Sequence, residues 1–158
     1  MPTLLRQIVE LVSMKIKLSL TMTNLYETDF LAWTKHQAKA LEEHNIEALD
    51  WEHLKEEIED LGNEKLNAVN SFLKRLIEHR LKLDYSQEIY PRNHWLKEVD
   101  NFQDEIEDRL TQTLFNKLDL QKQYERARRI VLRDYQVTIP KECPYTFEDL
   151  MTRYPLDD

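Results

Sequence analysis

One glycine, Gly62, serves a chain of 158 residues. Tight β-hairpins rely on glycine for backbone angles with positive φ, so a chain this poor in glycine has few ways of turning one strand into the next. Leu, Glu, Lys, Gln and Arg are abundant instead, and their straight side chains lose little rotamer freedom in a helix. The expected fold class is therefore all-α. The length suits one domain with a sizeable core. We expect a single-domain antiparallel bundle of about four to five main helices with a short C-terminal helix.

Net charge is −8, which opposes broad electrostatic attraction to duplex DNA but leaves room for a local basic patch. The lone Cys143 has no intramolecular disulfide partner and suits a reducing cytoplasm. No cysteine or histidine spacing suggests zinc, and no cofactor is expected. No stretch approaches the roughly 18 consecutive apolar residues of a membrane span.

Residues 1–21 are mildly amphipathic and lightly basic, with Arg6, Gln7, Glu10, Lys15 and Lys17 interrupting the apolar positions. They are read as an N-terminal extension, amphipathic or poorly ordered, ahead of a bundle domain at 22–158. Met22 would be a natural chain start, and 1–21 a dispensable leader.

Asn24 and Glu27 have the spacing of a capping box. Behind them Tyr26, Phe30, Trp33, Gln37, Ala40 and Leu41 recur at helical steps as one stripe, and His44-Asn45 ends the helix. Asp50 is placed to cap the next helix, whose inward line begins Leu54, Ile58, Leu61. Gly62-Asn63 favours a kink or break, because an unbroken helix from Trp51 to Asp84 would be about 51 Å long. Beyond it two apolar lines, Ala68, Phe72, Leu76, Leu83 and Leu66, Leu73, Ile77, place this helix at the bundle centre. A loop from Ser86 to Arg92 precedes a helix capped at Asn93, carrying Val99, Phe102, Ile106 and Leu110. The phase falters around Thr111–Asp119, then Leu120, Tyr124, Ala127 and Val131 restart it. A tail helix from Phe147 to about Arg153 follows a box of Thr146 and Asp149, with Tyr145 and Leu150 at the staple positions.

Three ordered blocks, "NLYETDFLAWTKHQAKALEE", "LDWEHLKEEIEDLGNEK" with "LKRLIEHRLKLDY", and "KECPYTFEDLM", resemble the bacterial helical family catalogued as domain of unknown function twenty-nine. The resemblance covers Leu25 to Met151. It rests on Tyr26, Asp29, Phe30 and Trp33, then Glu56, Glu57 and Glu59, then His79, Lys82 and Trp95. It implies a helical fold and assigns no activity. The region around Trp95 departs from the family pattern: His94 precedes the tryptophan and Asp104 follows Gln103. The resemblance implies a more basic region there, so any function of that character is weakened or changed in this chain.

The acidic run from Glu56 to Asp60 invites a metal or catalytic reading. With Leu54, Ile58 and Leu61 inward, Glu56 and Glu59 point to water and Asp60 lies on the far flank, leaving Glu57 beside the apolar line. His79 shares a line with Phe72, Leu76 and Leu83. Glu57 and His79 are accordingly the weak catalytic candidates, and Asp29, Glu57, His79 and Lys82 the expected polar network; a buried network fixing helix register is the blander outcome. No Glu-x-x-His motif supports a metal site. Cys143 sits beside Glu142, which opposes thiolate formation.

Lys122, Arg126, Arg128, Arg129 and Arg133 form a basic helical face, read first as a solvated surface pairing with the acidic helix before it and second as a nucleic-acid or regulatory patch. The favoured function is a non-catalytic cytoplasmic interaction or scaffold protein with a protein partner or self-association. An enzyme or metal or nucleotide binder using Glu57 and His79 is the alternative.

Overall fold

The computed structural model describes residues 2–154, and their side chains at 4–17 and 25–154. Every regular element among them is helical, so the all-α expectation holds. In chain order these are α1 (Pro2–Thr28), α2 (Phe30–Glu42), a 3-10 turn (Ile46–Ala48), α3 (Trp51–Tyr85), α4 (Arg92–Arg109), α5 (Gln112–Phe115), α6 (Leu120–Asp134) and α7 (Phe147–Met151). They form two units, Met1–Leu61 and Gly62–Asp158. No described helix is long and apolar enough to cross a membrane.

In the first unit, α1 already includes Asn24 within its helical backbone, so the expected cap at that position is corrected. The side chains of Met22 and Asn24 lie outside the described residues. The cap falls five residues later: Asp29 leaves helical geometry at φ −150°, and its carboxylate accepts from the Ala32 N–H at 3.0 Å. His44, at φ 53°, ends α2 as expected; histidine is among the side chains that tolerate the left-handed region. Trp33, Gln37 and Ala40 are buried on α2. Phe30 and Leu41, expected on the same stripe, are exposed, and so are Ile58 and Leu61. The inner side of the start of α3 instead carries His53, Leu54 and Glu57, all half-buried.

Helix α3 runs without a break through Gly62, overturning the expected interruption. A glycine within a helix costs only about 1 kcal/mol relative to alanine. That is too little to end a helix whose neighbours on both sides are good helix formers.

The second unit holds the larger core. Val69, Leu73, Leu76, Ile77, Leu81 and Leu83 of α3 are buried, confirming apolar lines on two sides. They pack in one cluster with Trp95, Val99, Phe102 and Ile106 of α4, with Tyr124, Ala127 and Val131 of α6, and with Ile139 and Leu150. Helix α4 starts at Arg92, with Pro91 rather than Asn93 at the cap position; proline's fixed φ suits a helix start and its missing N–H has no helical partner to lose. The faltering segment is the short α5 between caps at Thr111 and Asp119. The tail box forms as expected: Thr146 Oγ1 accepts from the Asp149 N–H at 3.1 Å and the Asp149 carboxylate accepts from the Thr146 N–H at 2.8 Å.

Candidate functional site

The polar side chains of the first unit gather where α2 meets the start of α3. Asp50 is their centre. Its Oδ2 accepts from Trp33 Nε1 at 3.1 Å and lies 2.7 Å from His53 Nδ1, while its backbone N–H donates to Gln37 Oε1 at 2.8 Å. Its Oδ1 accepts from the His53 backbone N–H at 3.4 Å, the expected helix cap. The Tyr26 ring stacks on His53 with centroids 3.9 Å apart, and its hydroxyl donates to Glu57 Oε1 at 2.6 Å. That bond, with Glu56, Glu57 and Asp60 nearby, pushes the Tyr26 phenol up to about 12. Tyr26 is thus held as a neutral donor at neutral pH.

Burial pushes the Asp50 carboxyl up, but hydrogen bonds from His53 and Trp33 outweigh it and hold the group below its ordinary value. Because the folded pKa lies below the unfolded one, near about 3.9, this carboxylate stabilises the fold above that pH and the contribution disappears as pH falls through the folded value. Urea midpoints measured from about pH 5 down to about pH 2.5 should therefore fall more steeply in the native chain than in Asp50→Asn. Parallel slopes would show that the carboxylate contributes nothing.

The four residues of the expected network each have a partner of their own. Asp29 caps α2, and Glu57 takes its bond from Tyr26. His79 donates from Nδ1 to the Arg75 carbonyl at 2.9 Å and packs by the Phe102 ring; burial lowers its pKa. Lys82 pairs with Glu78 at 2.6 Å. Glu57 belongs to the first unit and His79 to the second, and each is engaged by a partner within its own unit. No group of three or more metal-ligating side chains converges among the described residues.

The basic face of α6 divides. Arg128 donates twice to the Ile139 carbonyl, at 3.2 and 3.0 Å, and Arg133 pairs with Asp134. Arg129 is exposed, and Lys122 and Arg126 line a cleft with Lys74 of α3. None of them answers the acids of α4, as had been expected: Asp100, Asp104 and Glu107 meet Arg153 of the tail.

Sequence patterning placed Asp50 as a cap and Trp33 and Gln37 on an inner stripe, yet missed that they converge. His53 was missed as a member of the cluster. Its signal was the three-residue step from Asp50, which brings a histidine back over its own helix cap.

The family model described as "Domain of unknown function DUF29" matches residues 25–154. No curated protein and no solved structure matches the chain. The matched region takes in the Tyr26, Trp33, Asp50, His53 and Glu57 cluster and the whole core of the second unit, and the chain belongs to the DUF29 family, a domain of unknown function.

Proposed function

We propose that this chain is a non-catalytic cytoplasmic interaction protein whose first unit associates with a second copy through α1. One observation carries the reading: Leu4, Leu5, Ile8, Val9, Leu11, Val12 and Ile16 are each at least half exposed on a single helix. Isolated exposed hydrophobic residues are ordinary on protein surfaces, but a contiguous apolar stripe marks an association face. At 100° per residue these seven share one arc, while Arg6, Glu10, Ser13 and Lys17 fall on the other side. Leu4, Leu11, Leu18 and Leu25 also recur at seven-residue intervals, with Ile8 and Met22 between them. That period favours helix-on-helix packing between chains. Lys15 occupies the corresponding position between Leu11 and Leu18, where a single lysine can set register; in the chain it contacts Glu47 at 2.5 Å. The half-buried Cys143, whose thiol burial pushes up, accords with a chain that needs no thiol chemistry.

Sedimentation velocity of the full chain across about 1–100 μM tests this. The native chain should shift to a larger species with rising concentration. Ile8→Glu with Val12→Glu should weaken the association by at least tenfold, since each apolar side chain withdrawn from water contributes on the order of 1.5–3 kcal/mol. A native chain that stays monomeric throughout, or one whose association ignores both substitutions, would overturn the reading.

A further inference from the structure

In the second unit, α3 and α6 leave between them a polar cleft of about 260 Å³. Asn70, Ser71 and Lys74 line it from α3, and Lys122, Gln123 and Arg126 from α6. No carboxylate belongs to its wall. That is unusual for a chain with 30 acidic and 22 basic side chains. Among the described residues, Lys74, Lys122 and Arg126 enter no ion pair, whereas Lys82, Arg133 and Arg153 all do.

Three cations brought to one concavity repel one another, and the fold tolerates this where solvent or a bound anion neutralises them. Scattered surface lysines would be solvated one by one. Here the charges approach from two helices whose relative position is set by the core beneath, with Tyr124 and Ala127 buried on α6 beside Leu73 on α3. The neutral part of the wall consists of hydrogen-bonding groups. Gln123 is only 3% exposed, and Asn70 Oδ1 is buried without a partner. That one oxygen is left without a donor, although buried polar atoms are nearly always paired; as an acceptor it does not itself engage an oxyanion, and the anion is held by the three cations.

We propose that this cleft binds a phosphoryl group, as inorganic phosphate, diphosphate or the terminal phosphates of a larger molecule. Lysine ammonium groups act as point charges and the arginine fork engages two oxygens of one phosphoryl group, a combination suited to a compact multiply charged oxyanion. The volume lies below the roughly 300–1,000 Å³ of pockets that enclose whole drug-sized ligands, so the cleft fits the charged end rather than an entire nucleotide. The site is independent of the α1 face, and either can fail without the other.

Isothermal titration of the full chain at low salt, with phosphate, diphosphate and ATP in separate runs, tests the proposal. Diphosphate should bind saturably at one site with Kd below about 1 mM, and Lys122→Gln with Arg126→Gln should weaken it at least tenfold, about 1.4 kcal/mol. Both residues are exposed, so the double variant should keep the native melting temperature. Lys97→Gln, an exposed change on α4, should leave the affinity unchanged. ATP binding more tightly than diphosphate would assign the cleft to the phosphate end of a nucleotide; equal affinities would assign it to the free anion. Absence of saturable binding up to about 10 mM diphosphate, or equal affinity in the double variant, would overturn the site. So would single-stranded RNA that binds in a manner diphosphate cannot compete for.

Discussion

Trp33→Ala should cost the first unit about 3–5 kcal/mol, the range for losing a buried aromatic side chain. At 2% exposure Trp33 is the largest buried side chain of the first unit among the described residues, where Gln37 and Ala40 of α2 are buried with it. Truncation removes its packing against Tyr26 and Phe30 and leaves Asp50 without the indole donor. Little apolar surface remains to offset the entropy of ordering α2. Hydrogen exchange should show α2 and the first turns of α3 losing protection, while the stretch from Leu73 to Leu83 keeps it. Trp33→Phe should cost less, because it keeps an aromatic ring and gives up chiefly the hydrogen bond, about 1–2 kcal/mol. If Trp33→Ala strips protection evenly from both stretches, the small interior is not a separate cooperative unit and this account of it is wrong.

Gln103→Leu should release the C-terminal tail at a cost of about 1–3 kcal/mol. Gln103 is fully buried on α4, and its Nε2 donates to the carbonyl oxygens of Leu150 at 2.7 Å and Thr152 at 3.2 Å. These are carbonyls at the end of α7 that have no helical donor. A leucine of similar size fills the space but leaves the Leu150 carbonyl unpartnered, which costs about 1–3 kcal/mol, while the Thr152 carbonyl keeps the donor of Arg80 Nη1 at 3.4 Å. The ion pairs of Arg153 with Asp104 and Glu107 cannot compensate, since they are well exposed and such pairs contribute about 0–1 kcal/mol. Limited proteolysis should cut Gln103→Leu between Tyr145 and Tyr154 well before the native chain. Arg153→Ala should melt within about 1 kcal/mol of native. A tail that stays protected in Gln103→Leu would transfer its anchoring to the neighbouring aromatic cluster. There the Tyr145 and Tyr154 hydroxyls donate to Asp84, and Arg80 lies over both rings.

These two residues show how unevenly the sequence reveals its fold. Trp33 was legible as an inner position because α2 presents it one turn from Gln37 and two turns from Ala40, and periodicity is a local property. Gln103 was legible only as the residue before Asp104, where the chain departs from the family pattern. Its burial depends on α7 arriving some fifty residues later in the chain, which no local spacing encodes. The tail itself was readable, since Thr146 and Asp149 satisfy each other within one turn. The apolar residues Ile58 and Leu61 misled for the same reason in reverse. Helical spacing says that they share a face, but not that another element covers it.

The sequence by itself determined the all-α class, the caps at Asp50 and Thr146 and the two-sided burial of α3. Each rests on interactions within a few residues, where backbone geometry is regular. Only the tertiary structure decided that α3 continues through Gly62. It also placed Tyr26, Trp33, His53 and Glu57 around Asp50, and turned part of a basic helix face toward Lys74. Those outcomes depend on which helices pack together, and packing is set by the sum of many buried contacts rather than by any short pattern along the chain.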